Sequence, residues 1–488
     1  MTQTLGPVVL AIGALALAGP ALQTGSSEKP PALVHVDGLG SISFPNSGNA
    51  AAQAPFVRGV LLLHSFEYQA AAESFRDAQA ADAGFALAYW GEAMTYNHPL
   101  WQQQDRTAAL AALARLAPTP ESRAAKAPTD RERQYLGAVE TLYGSGSKHD
   151  RDDAYMRAME RLQNAYPADM EARAFHALAI LGSRDGVRDF ATYERAAATV
   201  QPVFDANPDH PGAAHYLIHS YDDPVHAALG LPAARRYSSI APAAAHAQHM
   251  TSHIFVALGM WDDVVIANER AVSVQNAENA KHGARPIVCG HYPSWLQYGY
   301  LMQGQIAKAE KMMDDCFARM SDKPTTGDTA SFVDMRARQI IDTQNWALSR
   351  KWPLPAAGPP PEATVETDFT NAFAALQQGD AGPARAFVRV QSNVAGTKPY
   401  YQEIVGMLAI ADGKTDEGLA SLRAAADAED ATPFEFGPPP LAKPTAELLG
   451  EQLLKLGRKD EARAAFERAA KRTPGRVPVV AGLKATAK

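Results

Sequence analysis

Cysteine is scarce in this chain, since only Cys289 and Cys316 occur among its 488 residues. No C-x-x-C-H and no H-E-x-x-H motif is present, so neither c-type haem attachment nor a zincin protease is supported. Basic residues are outnumbered, with 46 Lys and Arg against 53 Asp and Glu, which argues against nucleic acid as a partner. Runs of Val and Ile are rare whereas Ala is frequent, and this favours helices over sheets. The composition describes a folded chain.

Long apolar segments are absent except at the start of the chain. Leu5 to Gly19 form an apolar run followed by small residues, which predicts a signal peptide at residues 1–21, cleaved after Ala18 or Ala21. The segment before the run has no Lys or Arg, so a disordered terminus or an uncleaved anchor is the alternative. No later stretch reaches the roughly 20 apolar residues of a membrane span. We therefore expect an exported protein, periplasmic or secreted, with no transmembrane segment in the mature chain.

Histidines recur at a fixed interval. His215 and His219 are four residues apart, as are His249 and His253, and the second pair follows the first by 34 residues. Residues four apart share a helix face, so each pair points two imidazoles the same way. The interval of 34 also separates His64 from His98 and is the length of one tetratricopeptide (TPR) repeat, a helix–turn–helix unit. The spacing predicts that these side chains line one surface of a stacked helical array.

Small and large residues elsewhere follow the TPR packing pattern. The matches in the first and last units are Gly59, Leu62, Tyr68, Ala71, Phe75 and Ala78, and Leu449, Gly450, Leu453, Gly457, Ala462, Phe466, Ala469 and Pro474. Small residues let the two helices of a unit approach and large ones fill the gaps between them. The predicted fold is all-α: a TPR-like α-solenoid, a right-handed superhelix of helical hairpins.

The sequence divides into five predicted segments. Residues 1–21 are the signal peptide and residues 22–55 an irregular lead-in with scattered Gly, Ser and Pro. Residues 56–350 form the N-terminal array with the histidine-lined concave face. Residues 351–366 are rich in proline and are interpreted as a linker. Residues 367–488 contain the C-terminal hairpins.

Four motifs resemble those of a known group of proteins. They are N-H-P-L-W at 97–101, H-Y-L-I-H-S-Y-D-D-P at 215–224, H-M-T-S-H-I-F at 249–255 and L-G-E-Q-L-L-K-L-G-R at 449–458. The chain resembles exported bacterial TPR-repeat-containing proteins, a family of unsettled function, over most of its mature length. The resemblance implies a TPR architecture with a ligand-binding concave wall, and it implies no particular activity.

The TPR frame places further polar residues on that wall. It puts His246, His249 and His253 at groove positions, and His215 and His219 at the matching places one unit earlier. Other candidates for the groove are His64, His98, Asp222, Asp223 and His291. Only His176 falls at an inward packing position, so the pattern does not describe a solvated helix face.

Imidazole is the commonest transition-metal ligand. Neighbouring helices lie roughly 8–10 Å apart, so His215, His219, His249 and His253 are predicted to form a four-histidine metal site. Asp222 or Asp223 would serve as a further or outer ligand. An all-nitrogen set suits Cu, Zn or Fe and disfavours Ca or Mg. The alternative is that each histidine is hydrogen-bonded in the core, or that His64 and His98 cap helix C-termini.

Three functions remain open from the sequence. The first is an exported TPR protein that binds a protein, peptide or small-molecule ligand in a concave groove with a metal-loaded centre. The second is a metal-dependent oxidoreductase or hydrolase, with His246 or His291 as acid–base groups and Tyr216 or Tyr300 nearby. The third is a metal-free protein–protein interaction scaffold. Nothing in the sequence identifies a substrate or a reaction, so the catalytic residues are unknown.

The two cysteines suit an oxidising compartment. Cys289 precedes the first helix of one repeat and Cys316 lies near the end of its second helix. These ends meet in an antiparallel hairpin, so a disulfide is possible. Two buried thiols are the alternative.

Overall fold

The computed structural model describes residues 32–184, 188–354, 361–392 and 398–487. The predicted signal peptide, residues 1–21, lies outside these ranges, so export stays a prediction. Within them, every helix is too short or too polar to cross a lipid bilayer.

Helices dominate the first half of the described chain, up to and including the histidine-rich stretch. They are α1 (Ala50–His64), α2 (Tyr68–Ala81), α3 (Ala86–Met94), α4 (Arg106–Leu116), α5 (Pro120–Ala124), α6 (Asp130–Leu142), α7 (Lys148–Ala165), α8 (Met170–Gly182), α9 (Phe190–Ala206), α10 (Pro211–Tyr221), α11 (Ala227–Ile240) and α12 (Ala245–Ala257). Two short antiparallel pairs accompany them: β1 (Val34–Val36) with β2 (Gly40–Ile42), and β3 (Asn97–His98) with β4 (Gln103–Gln104).

The second half continues in the same manner. Its helices are α13 (Trp261–Lys281), α14 (His291–Met302), α15 (Ile306–Met320), α16 (Thr326–Thr343), α17 (Pro361–Gln377), α18 (Gly382–Gln391), α19 (Lys398–Ala411), α20 (Thr415–Asp430), α21 (Thr445–Lys455), α22 (Lys459–Arg472) and α23 (Val477–Ala485). Short 3₁₀ helices lie at Pro99–Trp101 and Trp346–Arg350.

The helices stack as hairpins. Successive helices pack on each other from α1 to α4 and again from α5 to α23. Alternate helices also touch, as α8 does with α10, α10 with α12 and α14 with α16. This neighbour and next-neighbour pattern is that of a solenoid built from helical pairs. The predicted all-α, TPR-like α-solenoid is confirmed.

Phenylalanine–glycine packing repeats at both ends of the array. A Cβ on Gly59 or Gly91 would lie 2.8 or 2.3 Å from the ring of Phe75, so this ring fills the space between two glycines of flanking helices. Phe466 lies in the same way between Gly450 and Gly482, where the distances are 2.8 and 2.3 Å. Because both helices approach the ring so closely, a side chain at these glycines would push the hairpin apart.

Two boundaries differ from the predicted division of the chain. The lead-in, residues 22–55, is not irregular throughout, since β1 and β2 form a hairpin and α1 begins at Ala50. Asn207 donates from its amide to the carbonyl of Ser41 at 2.8 Å, so the hairpin packs on the turn that precedes α10. The linker, residues 351–366, is shorter than predicted, because α17 begins at Pro361. Proline is tolerated at a first helical position, where its missing N–H has no intrahelical partner to lose.

The C-terminal end of the array returns to its middle. Trp261 donates from Nε1 to the carbonyl of Gly475 at 2.8 Å. Arg476 is buried, pairs with Glu447 at 2.6 Å and also with Asp342, and donates to the hydroxyl of Tyr298 at 3.2 Å. The segment 433–440 lies over the histidine-rich stretch, where the ring of Phe436 stacks on that of His253.

Candidate metal centre

Two helices one repeat apart carry the histidine pairs. In α10, His215 and His219 lie one turn apart with ring centroids 4.8 Å from each other. In α12, His249 and His253 repeat the arrangement with centroids 5.0 Å apart. All four rings are buried. Both pairs therefore lie on inward-facing sides of their helices.

A first group of three histidines forms where α12 begins beside α10. The ring of His246 lies 5.0 Å from that of His215, and His215, His219 and His246 each offer a nitrogen within 4.8 Å of the others. The Nε2 atoms of all three are buried and have no hydrogen-bond partner. Because buried polar atoms are almost always paired, three adjacent unpaired nitrogens are unusual.

The opposite ring nitrogens of two members fix the tautomer. Nδ1–H of His215 donates to the carbonyl of His64 at 2.7 Å, and Nδ1–H of His219 donates to Asp222 at 3.3 Å. Carbonyl and carboxylate oxygens only accept, so the hydrogen of each neutral ring is on Nδ1. The lone pairs on Nε2 of His215 and His219 therefore point into the group.

A second group repeats this construction one repeat later. His249, His253 and His291 offer nitrogens within 4.8 Å of one another. Asn268 donates from its amide to the carbonyl of Val264, so its Oδ1 accepts from Nδ1–H of His249 at 2.7 Å.

Two lone pairs face each other in this second group. Nδ1–H of His253 donates to Asp222 at 2.9 Å, which leaves Nε2 of both His249 and His253 unprotonated. These two Nε2 atoms are only 3.2 Å apart. Nitrogens bound to one tetrahedral ion at 2.0–2.1 Å are separated by about 3.4 Å. Two lone pairs therefore meet when both rings are neutral, at a distance close to that between two ligands of one metal.

Asp222 links the two groups from behind. Its Oδ2 accepts from His219 and His253, and its other oxygen pairs with the buried Arg188. Burial would raise the pKa of Asp222, but Arg188 and the two histidine hydrogen bonds hold it well below its usual range. Asp222 is thus an outer carboxylate that orients two rings. Asp223 instead accepts from Arg188 at 3.1 Å and from His226, away from the imidazole lone pairs.

Burial keeps the central imidazoles neutral. It lowers the pKa of His215, His246 and His249 well below 6.5, and neighbouring histidines lower these values further. Burial also lowers the pKa of His253, although Asp222 opposes this. The neutral ring is the form that binds a metal.

The predicted metal site of His215, His219, His249 and His253 stays a prediction, and the geometry brings two further histidines beside these four. The start of the next repeat adds a third nitrogen to each pair, His246 for α10 and His291 for α12, which gives two groups of three. A further set of His219, Asp222 and His253 spans the two groups. We call His215, His219, His246, His249, His253 and His291 the six-histidine centre. The two groups touch, since the rings of His219 and His253 are 5.5 Å apart and those of His246 and His249 are 6.1 Å apart.

His64 and His98 lie outside the centre. Nε2–H of His64 donates to Glu171 at 2.8 Å, Nε2–H of His210 donates to the other oxygen at 3.1 Å, and Nδ1 of His64 contacts the hydroxyl of Tyr216 at 2.9 Å. We call these four residues the carboxylate-anchored cluster. His98 stacks on the ring of Tyr68 with centroids 3.9 Å apart.

The centre is enclosed rather than spread along an open concave wall. The ring of Phe66 packs on that of His215 with centroids 4.3 Å apart. The ring centroid of Trp295 lies 4.7 Å from that of His249 and 4.5 Å from that of His253. Phe436 of the segment 433–440 stacks on His253 at 5.0 Å. Of the six histidines only His291 is exposed. The histidines predicted to line a concave wall are thus covered in part by the segment 433–440, a contact that no repeat pattern indicates.

Several contributors were missed by sequence reasoning. Asn268, Glu171, Trp295 and Phe436 were not singled out, because each is far from the histidine pairs along the chain. The tyrosines suggested beside an acid–base group have other partners: Tyr216 contacts His64, and Tyr300 donates to Glu269. The one sequence signal that could have indicated such residues is a polar side chain on a helix face that otherwise packs inward.

Cys289 and Cys316 form a disulfide with Cα atoms 5.0 Å apart. It joins the segment before α14 to α15. Since Cys289 lies two residues before His291, the bond restrains the start of the helix that supplies the last histidine of the second group.

No protein-family model and no curated protein matches the chain. Solved structures of helical-repeat proteins are similar at low identity. The Cut9–Hcn1 hetero-tetramer of the APC/C is 12% identical with a TM-score of 0.33, covering 91% of this chain and 78% of that chain. The P58(IPK) TPR domain is 12% identical with a TM-score of 0.20, covering 90% and 97%. Yeast Tom70 is 10% identical with a TM-score of 0.32, covering 89% and 95%.

Proposed function

We propose that this protein binds a transition metal through its six-histidine centre, held in a TPR-like solenoid. The observation that carries the proposal is the set of unpaired lone pairs: Nε2 of His215, His219 and His246 without partners, and Nε2 of His249 facing that of His253 at 3.2 Å. A bound cation would accept these lone pairs and remove the cost of burying them unpaired.

The hydrogen bonds behind the rings support the same proposal. Metal-binding histidines typically donate their other N–H to a carboxylate or carbonyl oxygen, which fixes the ring and raises its basicity. His215, His219, His249 and His253 all do so, through His64, Asp222, Asn268 and Asp222 respectively. Buried histidines with a packing role alone would not need to carry the hydrogen on Nδ1 in all four rings.

The ligand chemistry restricts the metal. All candidate ligands are imidazole nitrogens, which suit Cu, Zn or Fe and disfavour Ca and Mg. Three nitrogens per group leave a fourth position open, as in catalytic rather than structural zinc sites. A metal-dependent oxidoreductase or hydrolase is therefore the second candidate, favoured by this open position and by the exposure of His291.

The fold itself fits an interaction scaffold, because helical-repeat arrays present extended binding surfaces. On this third reading a protein or peptide partner binds the array and the histidines carry no metal. The burial of the centre favours the metal proposal over a partner that contacts the histidines directly.

We also propose that the protein is exported to the periplasm or secreted. The apolar run from Leu5 to Gly19 supports this, as does the Cys289–Cys316 disulfide, since such bonds persist in oxidising compartments.

Elemental analysis tests the metal proposal. Untagged protein is purified, analysed as isolated, and analysed again after incubation with Cu(II) or Zn(II) and removal of free ion. We expect at least about one ion per chain, and loss of that ion in the double variant His219→Ala, His253→Ala. The control is His176→Ala, because His176 is buried but bonds Gln163 outside the centre.

Metal below about 0.2 ions per chain after loading would end the proposal. The scaffold reading would then stand, and it predicts the same partner binding with and without a chelator.

A further inference from the structure

The two groups of the six-histidine centre are built by one rule. Each group contains two histidines four residues apart on the first helix of one hairpin. Its third histidine comes from the start of the first helix of the next hairpin. His246 is the second residue of α12 and His291 is the first residue of α14. Because two successive repeats carry the same arrangement, each group is a complete three-nitrogen site.

The two sites are in contact and share a carboxylate. Ring centroids across the boundary are 5.5 Å apart for His219 and His253. Oδ2 of Asp222 accepts from one ring of each site. Adjacent metal ions in two-metal centres are roughly 3.5–4 Å apart, a separation that neighbouring imidazole groups in contact permit.

We propose that the centre is dinuclear, with one transition-metal ion in each three-histidine site and one small anion, such as hydroxide, bridging them. This inference rests on the proposed function. A single ion would use three or four nitrogens and leave the remaining lone pairs of the other group buried without a partner. Two ions satisfy both groups, including the facing pair His249 and His253.

Charge favours an anionic bridge. The six imidazoles are neutral ligands, and the nearby charges are Asp222 and Asp223 opposed by Arg188. Two divalent ions therefore bring an excess of positive charge into a buried site, and such an excess attracts a small anion.

His291 is exposed, whereas the other five histidines of the centre are buried. The ring of Trp101, 40% exposed, lies 5.8 Å from that of His246, and the ring of Tyr292 lies 6.5 Å from His246 and 4.9 Å from His249. A bridging anion would therefore enter from the side of His291.

Copper loading with electron paramagnetic resonance (EPR) tests the inference. Untagged wild-type protein is saturated with Cu(II), freed of excess ion, and examined for bound copper and for the integrated EPR signal, with and without azide as the probe anion. We expect about two copper ions per chain and loss of most of the signal, because a shared bridge couples the two unpaired electrons. Azide should add a charge-transfer absorption.

Two variants separate the sites. His246→Ala removes a ligand of the first group only, and His291→Ala removes one of the second only. Each should bind about one copper with an EPR signal equal to the bound metal. His176→Ala is the matched control and should behave as wild type. Circular dichroism establishes that each variant is folded.

The outcomes are distinguishable. No bound copper overturns this inference, and no bound copper together with no bound zinc after loading overturns the proposed function as well. One copper per chain in the wild type, or two with the full EPR signal, overturns the dinuclear centre while the metal function stands. Since these readouts come from the wild type, they hold even if a variant fails to fold.

Discussion

The carboxylate-anchored cluster and the six-histidine centre are both buried, and they differ in how their ring nitrogens are paired. In the cluster, His64 bonds Glu171 and Tyr216, and His210 bonds Glu171 and the backbone N–H of Ala213. Every ring nitrogen of these two histidines has a partner. In the centre, three Nε2 atoms have none and two face each other.

Burial alone therefore does not identify a binding site. Burial would raise the pKa of Glu171, but His210 and His64 lower it to about 2, so the carboxylate is ionised and accepts from both rings. Every ring nitrogen of the two cluster histidines is hydrogen-bonded, whereas Nε2 of His215, His219 and His246 in the centre is not. The hydrogen-bond inventory separates a structural histidine from a candidate ligand.

The largest expected effect is on the complete cluster. Glu171→Leu removes the acceptor of His64 and His210, so two buried N–H groups lose their partner. We expect the free energy of unfolding to fall by about 3–5 kcal/mol, as measured by urea denaturation. Glu73→Gln, on an exposed helix face, is the control. A loss below about 1 kcal/mol would show that the cluster does not stabilise the fold.

Metal should stabilise the centre and leave the cluster unaffected. At a free metal concentration of about 100 times Kd, we expect the free energy of unfolding to rise by about 2.7 kcal/mol. A chelator should reverse the change, and the variant His219→Ala, His253→Ala should lack it. Equal stabilisation of wild type and this variant would place the ion elsewhere.

Acid should destabilise the metal-free centre. Because burial lowers the pKa of His215, His246 and His249 below 6.5, the unfolded chain binds more protons than the folded one below that pH. Stability is therefore full above about pH 6.5 and falls as the pH is lowered, by about 1.4 kcal/mol per pH unit for each extra proton. Urea denaturation of chelator-treated protein at several pH values between about 7.5 and 5, a range that includes the ordinary histidine pKa, measures this slope. His246→Leu should reduce it, and an unchanged slope would contradict the assignment.

The smallest effect is expected for an apolar replacement within the six-histidine centre of chelator-treated protein. His246→Leu removes an imidazole whose Nε2 has no partner, so no hydrogen bond of that atom is lost. The metal-free protein should change by less than about 1 kcal/mol while copper binding falls. A thermal melt without metal, beside the Glu171→Leu variant, compares the two regions directly. A large loss would mean that His246 is structural.

The sequence predicted the periodic parts of the molecule. The 34-residue interval identified the repeat and placed His215, His219, His249 and His253 on one inner face, because helical periodicity determines which side chains share a face. It did not predict how the four divide, since that depends on where α12 and α14 begin relative to the pairs. His246 follows His215 by 31 residues, whereas His291 follows His249 by 42 residues.

Contacts between distant segments were beyond the pattern. Glu171 lies in another repeat from His64, and Phe436 reaches His253 from the far end of the chain. Gly437 lies so close to Trp295 that a Cβ there would be 2.3 Å from the indole. Such closure depends on the accumulated curvature of the whole array, which local spacing does not encode.

The buried Arg476 joins the last repeat to residues in α14 and α16 through Tyr298 and Asp342. A linear repeat protein unravels from its ends, because a terminal unit has only one neighbour to leave. Here the terminal unit has two, so fraying at the C-terminus must also break contacts in the middle of the array. Unfolding should thus be more cooperative than the repeat count suggests, and the six-histidine centre should become exposed only when these contacts break.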